Sequence, residues 1–169
     1  MTLSPKKTSG FTLLELLMVL IVLAIVASLA IPAWFDKSGR TLENATRLLA
    51  HDLREAQNRS IFDGRVVQVE FREDGDGYRV LDESGIAEPA PLGQGLFERK
   101  YSFDGIFRGV QIERVELGGD RKLLFDQNGY TDGPGVVVVE FRGDTLTLEI
   151  ENRSGLMAIS ELGWIDPGN

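Results

Sequence analysis

The side chains that usually carry catalysis or bind metals are scarce in this chain. Its 169 residues include no cysteine and one histidine, His51. This composition excludes disulfides, zinc–thiolate sites, cysteine nucleophiles and histidine metal clusters. A Ser-His-Asp triad would have to use His51, and the sequence has no G-x-S-x-G motif and no phosphate-binding or dinucleotide-binding glycine loop. The sequence therefore predicts a protein that is not an enzyme, that has no cofactor or metal, and that carries His51 on its surface.

Two segments rich in acidic residues could be taken for calcium loops. They are Asp74-Gly75-Asp76-Gly77 and the group formed by Asp126, Asn128 and Asp132. An EF-hand loop needs oxygen ligands at alternate positions and a bidentate glutamate at its twelfth position, and neither segment has that pattern. Because Asp, Asn and Gly are also the residues that tight turns prefer, we interpret both segments as turns.

One acidic residue, Glu15, stands directly before a long apolar run. From Leu16 to Phe35, 18 of 20 residues are apolar, and no charged residue occurs between Glu15 and Asp36. A helix of about 20 apolar residues crosses the hydrocarbon core of a bilayer. The run Leu16–Phe35 therefore predicts a transmembrane helix. Positive residues stay on the cytoplasmic side of a membrane, so Lys6 and Lys7 predict a cytoplasmic N-terminus with the rest of the chain across the membrane.

Glu15 distinguishes among the possible roles of this apolar run. A secretory signal could be cut after Ser28-Leu29-Ala30, but the run is longer than the apolar part of such signals, about 7–15 residues. An acid also costs roughly 2.5–3.5 kcal/mol deep in a bilayer. A simple N-terminal anchor is the other alternative, and it gives Glu15 no function.

Residues 6–15, with the sequence Lys-Lys-Thr-Ser-Gly-Phe-Thr-Leu-Leu-Glu, resemble the processing site of type IV pilins and type II secretion pseudopilins. The resemblance implies that a prepilin peptidase cuts after Gly10 and that the new N-terminal residue, Phe11, is N-methylated. It also implies that Glu15 is needed for filament assembly. An unpaired buried charge is costly, so the Phe11 amine is a natural partner for the carboxylate of a neighbouring subunit.

Beyond the apolar run, the sequence changes first to an amphipathic pattern and then to alternation. Apolar residues recur at helical spacing from Thr41 to Phe62, at Leu42, Ala45, Leu48, Leu49, Leu53, Ala56 and Ile61. Such spacing predicts a helix with one face against a sheet. Alternating segments then predict strands, namely 65–72, 78–82, 110–117, 122–125, 136–142, 145–151 and 156–160, with residues 83–99 as a long loop.

This order of elements predicts an α+β fold, in which a long N-terminal helix packs on a mostly antiparallel sheet. The helix has a transmembrane half and an amphipathic half. The predicted organisation is a cleaved leader at 1–10, a transmembrane and filament-core helix at 11–35, an amphipathic stalk helix at 36–62 and a periplasmic β-rich head at 63–169.

Three further segments are similar to the GspH/FimT group of minor pseudopilins. They are Leu53–Ser60 at the end of the stalk, Leu124–Gly129 at a strand end, and Leu146–Ile159 as a closing hairpin. The resemblance implies a type II secretion pseudopilin H that sits in the inner membrane by a single pass and then joins the pseudopilus. Its implied partners are prepilin peptidase and the other major and minor pseudopilins, with secretion cargo and the outer-membrane channel as further candidates. One alternative is a FimT-like minor type IV pilin that serves pilus biogenesis or DNA uptake, and another is a type IV pilus subunit for adhesion or motility.

The charge of the chain distinguishes a role in secretion from a role in DNA uptake. Residues 36–169 contain 16 basic and 25 acidic residues, a net charge of −9. The tail Glu161–Asn169 has no Lys or Arg, whereas a FimT-like DNA binder would be expected to carry arginines there. Non-specific DNA binding depends on phosphate contacts with basic residues. We therefore expect no nucleic-acid partner, although Arg99, Lys100 and Arg108 could form a local basic patch.

Overall fold

The computed structural model describes residues 12–91, 93, 95–118, 120–151 and 154–160, and for residues 28–38 it describes the backbone alone. The predicted leader, Gly10, Phe11 and the tail Glu161–Asn169 lie outside the described residues. The chain divides into two compact units, Met1–Lys37 and Ser38–Asn169.

The helix α1 runs from Leu13 to Asp63, so its first part lies in the first unit and the rest lies in the second. In the first unit, every residue from 12 to 27 is exposed, although most of them are apolar. Among the residues described in full, no helix has both the length and the hydropathy of a membrane span. The predicted span Leu16–Phe35 includes residues whose side chains lie outside the description, and it stays a prediction.

In the second unit, α1 is amphipathic as its spacing predicts. Its buried apolar face consists of Leu42, Ala45, Leu49, Leu53 and Ala56. Ile61, which was predicted on the same face, is 51% exposed because the helix ends at Asp63, close to the edge of the core. Gly64 then adopts a positive φ of 62°, the usual way to end a helix.

The described residues of the head form two four-stranded sheets in which every pair of neighbouring strands is antiparallel. The first has the order β3-β2-β1-β5, formed by β1 (Val67–Phe71), β2 (Gly77–Asp82), β3 (Glu98–Lys100) and β5 (Lys122–Phe125). The second has the order β4-β6-β7-β8, formed by β4 (Gln111–Leu117), β6 (Gly135–Phe141), β7 (Asp144–Ile150) and β8 (Met157–Ser160). Strand β3 was not predicted, and the prediction that residues 83–99 form a loop is wrong at its end, where β3 begins at Glu98. The three residues of β3 are all polar, so they give no alternation that would indicate a strand.

One hydrophobic core joins the helix to both sheets. It includes Leu49 and Leu53 of α1, Val69 of the first sheet, and Val139 and Leu148 of the second. The alternation of β6 and β7 places one face of each strand in this core, as predicted, namely Val137, Val139 and Phe141 of β6 and Leu148 and Ile150 of β7. The fold is therefore the predicted α+β arrangement, with the β residues divided between two sheets.

The β6–β7 hairpin closes with a turn of two residues. Phe141 pairs with Asp144, so only Arg142 and Gly143 lie between the strands. Both have positive φ, 57° and 90°. This is the backbone of a type I′ turn, whose twist matches that of the two strands.

Candidate functional site

The N-terminal motif is described from Thr12 onward. The Glu15 backbone N–H lies 3.2 Å from Thr12 Oγ1 and donates a hydrogen bond to it. Thr12 therefore caps the helix, which begins at Leu13, and Glu15 lies in the first turn. A carboxylate in the first turn is favoured by the positive end of the helix dipole. The helix thus begins two residues after Phe11, the predicted mature N-terminus.

The surface that follows Glu15 is apolar on all sides of the helix. Its exposed large apolar residues are Leu16, Leu17, Met18, Val19, Leu20, Ile21, Val22, Leu23, Ile25 and Val26. A helix with no polar face is typical of a membrane or of a protein interior, because apolar surface in water is costly. Among residues 12–27, Glu15 is therefore the only charge available for a specific contact.

The second unit contains a buried carboxylate that the sequence pattern did not reveal. Asp52 is 4% exposed on the core side of α1. It accepts hydrogen bonds from Tyr78 Oη and from Arg99 Nε, each at 2.8 Å. Burial raises the pKa of the Tyr78 phenol, and the negative charge of Asp52 raises it further. The phenol therefore stays protonated and acts as a donor.

The hydrogen bonds of Asp52 reduce the predicted basic patch of Arg99, Lys100 and Arg108. Arg99, one of its three members, is held by Asp52 and is not a free cation. Only Lys100 and Arg108 remain from the predicted set. His51 lies next to Asp52 in the chain, and its side chain is 75% exposed, which places it on the surface as predicted.

We expect Asp52→Ala to lower the free energy of unfolding of the head by about 2–3 kcal/mol, because it leaves the Tyr78 hydroxyl and the Arg99 guanidinium without their acceptor. Glu43→Ala is the matched control on the same helix. It removes an exposed pair with Arg47 at 2.7 Å and should cost about 0.5 kcal/mol or less. Urea unfolding of residues 36–169 measures both. Equal losses in the two variants would contradict the structural role of Asp52.

A second buried carboxylate fixes the long loop to the end of α1. Glu88 is buried and contacts Arg59 and Arg65. Its Oε2 accepts a hydrogen bond from Arg65 Nη2 at 2.9 Å. Hydrogen bonds from Arg65 lower the pKa of the Glu88 carboxyl and outweigh the effect of its burial. Glu88 therefore acts as a structural anion that holds its part of the loop against the end of the helix.

The acidic turns hold their own backbone. Asp126 Oδ1 accepts hydrogen bonds from the N–H groups of Asn128 and Tyr130, at 2.8 and 2.9 Å. Asp74 Oδ1 accepts one from the N–H of Asp76 at 3.0 Å. Within the described ranges, no group of three or more acidic or histidine side chains could hold a metal ion. These contacts are the ones expected of turns.

Comparison with known proteins identifies the N-terminal segment and the fold. Residues 5–31 match the family described as the prokaryotic N-terminal methylation motif. No curated protein sequence matches the chain. Among solved structures, the type IV minor pilin FimU of Pseudomonas aeruginosa has a TM-score of 0.52 at 21% identity, over 70% of this chain and 87% of FimU. A second crystal form of FimU gives 0.52 at 16% identity, over 70% of this chain and 92% of that one.

The minor pseudopilin EpsH from the type II secretion system of Vibrio cholerae has a TM-score of 0.50 at 13% identity. That match covers 73% of this chain and 98% of EpsH. The two proteins share the fold of this chain, and fold alone does not assign the filament to which a subunit belongs.

Proposed function

We propose that this chain, which joins the N-terminal methylation motif of prepilin-like proteins to the fold of minor pilins and pseudopilins, is a minor pseudopilin of type II secretion. In this role it is a structural subunit and not an enzyme. It would help to start or cap the pseudopilus and thereby support protein export across the outer membrane. Its partners would be prepilin peptidase and the other pseudopilins.

The observation that carries this proposal is the continuity between the motif and the helix. The matched segment, residues 5–31, includes the start of α1, and residues 16–27 of that helix are all apolar and exposed. Cleavage after Gly10 leaves this helix on the mature protein and creates an amine at Phe11. The same helix can then lie in the inner membrane before assembly and among other subunits afterwards, because both surroundings are apolar.

The proposed topology follows from the same segment. Lys6 and Lys7 would keep the leader in the cytoplasm, with Leu16–Phe35 as a single span and the head in the periplasm. In the filament, residues 11–35 would form the core and residues 36–169 would lie outside it. Secretion cargo and the outer-membrane channel would then be accessible to the head.

The choice of secretion over DNA uptake depends on charge. The chain from Asp126 onward has two basic residues, Arg142 and Arg153, against eight acidic ones. Arg99 is engaged by Asp52. An acidic surface repels the DNA duplex, so these features favour a pseudopilin over a FimT-like minor pilin that captures DNA.

We expect the isolated head, residues 36–169, to give no shift of double-stranded DNA at moderate salt in a gel-shift titration. The matched control is the double variant Glu161→Lys and Asp166→Lys, which makes the tail basic and should gain weak, salt-dependent binding. If the unmodified head forms a salt-dependent complex tighter than about 10⁻⁴–10⁻⁶ M, the secretion assignment is wrong and DNA uptake is favoured.

A further inference from the structure

The second sheet has two faces, and only one of them lies against the hydrophobic core. In β6, Val137 and Val139 belong to that core, whereas Val138 between them does not. Side chains alternate between the two faces along a strand, so Val138 lies on the outer face. Thr147 of β7 is paired directly with Val138 and therefore shares this face. In an antiparallel sheet with one face on the core, the other face is commonly in contact with water.

The centre of this outer face is nevertheless buried. Val138 is 2% exposed and Thr147 is 5% exposed. The hydroxyl oxygen of Thr147 is enclosed as well, and it has no hydrogen-bond partner among the described residues. Enclosing a hydroxyl without a partner costs free energy, because the group loses its bonds to water. Thr147 therefore indicates a covering group that lies outside the described residues.

The described side chains around this centre form a polar border. Strand pairing places Arg114 of β4, Val138, Thr147 and Ser160 of β8 in one row across the sheet. Arg114 is exposed at one end of the row, and Ser160 is a short polar side chain at the other end. The buried pair thus lies between two polar ends, as expected of a face that a narrow segment crosses.

The charges on or beside this face leave one cation available for a further contact. The acidic residues there are Glu113, Glu116, Glu140 and Glu149. Glu113 is exposed at the β-bulge of the edge strand β4. Glu140 accepts a hydrogen bond from its own hairpin turn, and Glu149 accepts one from Ser160 Oγ. Glu116 approaches Arg114 at 3.5 Å, an exposed pair that is weak in water. Arg114 can therefore bind a second carboxylate.

The C-terminal tail starts at one end of this row. Strand β8 ends at Ser160, and nine residues follow it, with the sequence Glu-Leu-Gly-Trp-Ile-Asp-Pro-Gly-Asn. Neighbouring strands lie about 4.8 Å apart, so three spacings separate Ser160 from Arg114 by about 14 Å. Six extended residues, from Ser160 to Asp166, span up to about 20 Å. The tail is therefore long enough to cross the row.

We propose that the tail Glu161–Asn169 crosses the outer face of the second sheet as a strap that covers Val138 and Thr147. Its large apolar residues are Leu162, Trp164 and Ile165. They supply the apolar cover, and a backbone group of the strap supplies the partner of the Thr147 hydroxyl. This inference does not depend on the proposed function or on the membrane anchor.

Charge fixes the far end of the strap. Asp166 is the acid that follows the apolar residues, and in this arrangement it pairs with Arg114. Glu161 stays at the start of the strap, beside β8 at the edge of the sheet. The apolar part of the tail therefore lies over the apolar centre of the face, away from Glu116 and Glu149. A strap held in this way is part of the surface of the head and not a free arm.

The absence of cysteine and the presence of only two tryptophans allow a direct test in the full chain. Trp34→Phe leaves Trp164 as the single tryptophan. In that background, Glu149→Cys places a bimane label on the outer face, and Ser84→Cys places the matched control label on the exposed turn after β2. Tryptophan quenches bimane at short range. Each labelled protein, in detergent, is compared with the same protein carrying Trp164→Phe.

We expect Trp164 to remove most of the bimane emission at Glu149 and to leave that at Ser84 unchanged. Leu162→Ser with Ile165→Ser should abolish the quenching without changing the far-ultraviolet circular dichroism of the chain. Arg114→Glu should weaken the quenching, and the further change Asp166→Arg should restore it, because the exchange of charges rebuilds the ion pair.

Four results would overturn the inference. The first is quenching that is absent at Glu149 or equal at the two labels. The second is quenching that survives Leu162→Ser with Ile165→Ser, which contradicts the apolar cover. The third is a failure of Asp166→Arg to restore the quenching. The fourth is quenching of the labelled Trp164→Phe protein by an excess of unlabelled protein that keeps Trp164, which would identify the tail of a second copy as the cover.

Discussion

Protein extracted from the membrane is expected to begin at an N-methylated Phe11, and Gly10→Val is expected to leave nearly all of it with the leader attached. The motif on residues 5–31 predicts a peptidase that cuts after a glycine, where a branched side chain would block the backbone from the active site. Intact-mass spectrometry measures both results directly.

Ser9→Ala is the matched control, because it changes the neighbouring residue and leaves the glycine in place. It should be processed like the unmodified chain. A mature protein that keeps Met1, or one that begins at Ile31 after a signal-type cut, would contradict the pilin-like assignment. Methylation is seen in the same spectrum as an increase in the mass of the processed protein.

Glu15→Ala is expected to abolish incorporation into pseudopili while the protein is still processed and its head still folds. In a filament, the variant leaves the Phe11 amine of an adjacent subunit without an anion in apolar surroundings. Removing one partner of a buried ion pair costs about 3–5 kcal/mol, which corresponds to a loss of roughly a hundredfold to several thousandfold. Quantitative immunoblotting of purified filaments measures the incorporated fraction.

Two control variants separate the charge of Glu15 from its place in the helix. Glu15→Gln keeps the shape of the side chain and should fail in the same way as Glu15→Ala. Thr12→Ala removes the observed cap of the helix and should cost only about 1 kcal/mol, with much of the incorporation retained. If Glu15→Ala enters filaments as well as the unmodified subunit, the role assigned to Glu15 is wrong. If Thr12→Ala fails equally, the effect belongs to the helix start and not to the charge.

Periodicity in the sequence was sufficient to predict the amphipathic part of α1 and seven of the eight described strands. The spacing of Leu42, Ala45, Leu49 and Leu53 predicts one buried helix face, and the structure confirms it. The alternation in Val136–Ile150 likewise predicts the β6–β7 hairpin. Both signals are local, since each side chain points to one face according to its position in a regular element. Gly10, Phe11 and Glu15 were found from a linear motif, and their roles stay predictions.

Only the tertiary structure decided how the strands divide into two sheets and which polar residues lie inside. Strand β3 has no apolar alternation and exists because the edge of β2 offers it backbone partners. Asp52 looks like one more polar residue on a helix, yet it lies in the core because Tyr78 and Arg99 reach it from strands 26 and 47 residues away. These contacts depend on residues that are distant in the chain. A window of sequence contains one partner of each pair, so the burial of the charge and the partners that offset its cost are fixed only when the helix and the sheets pack together.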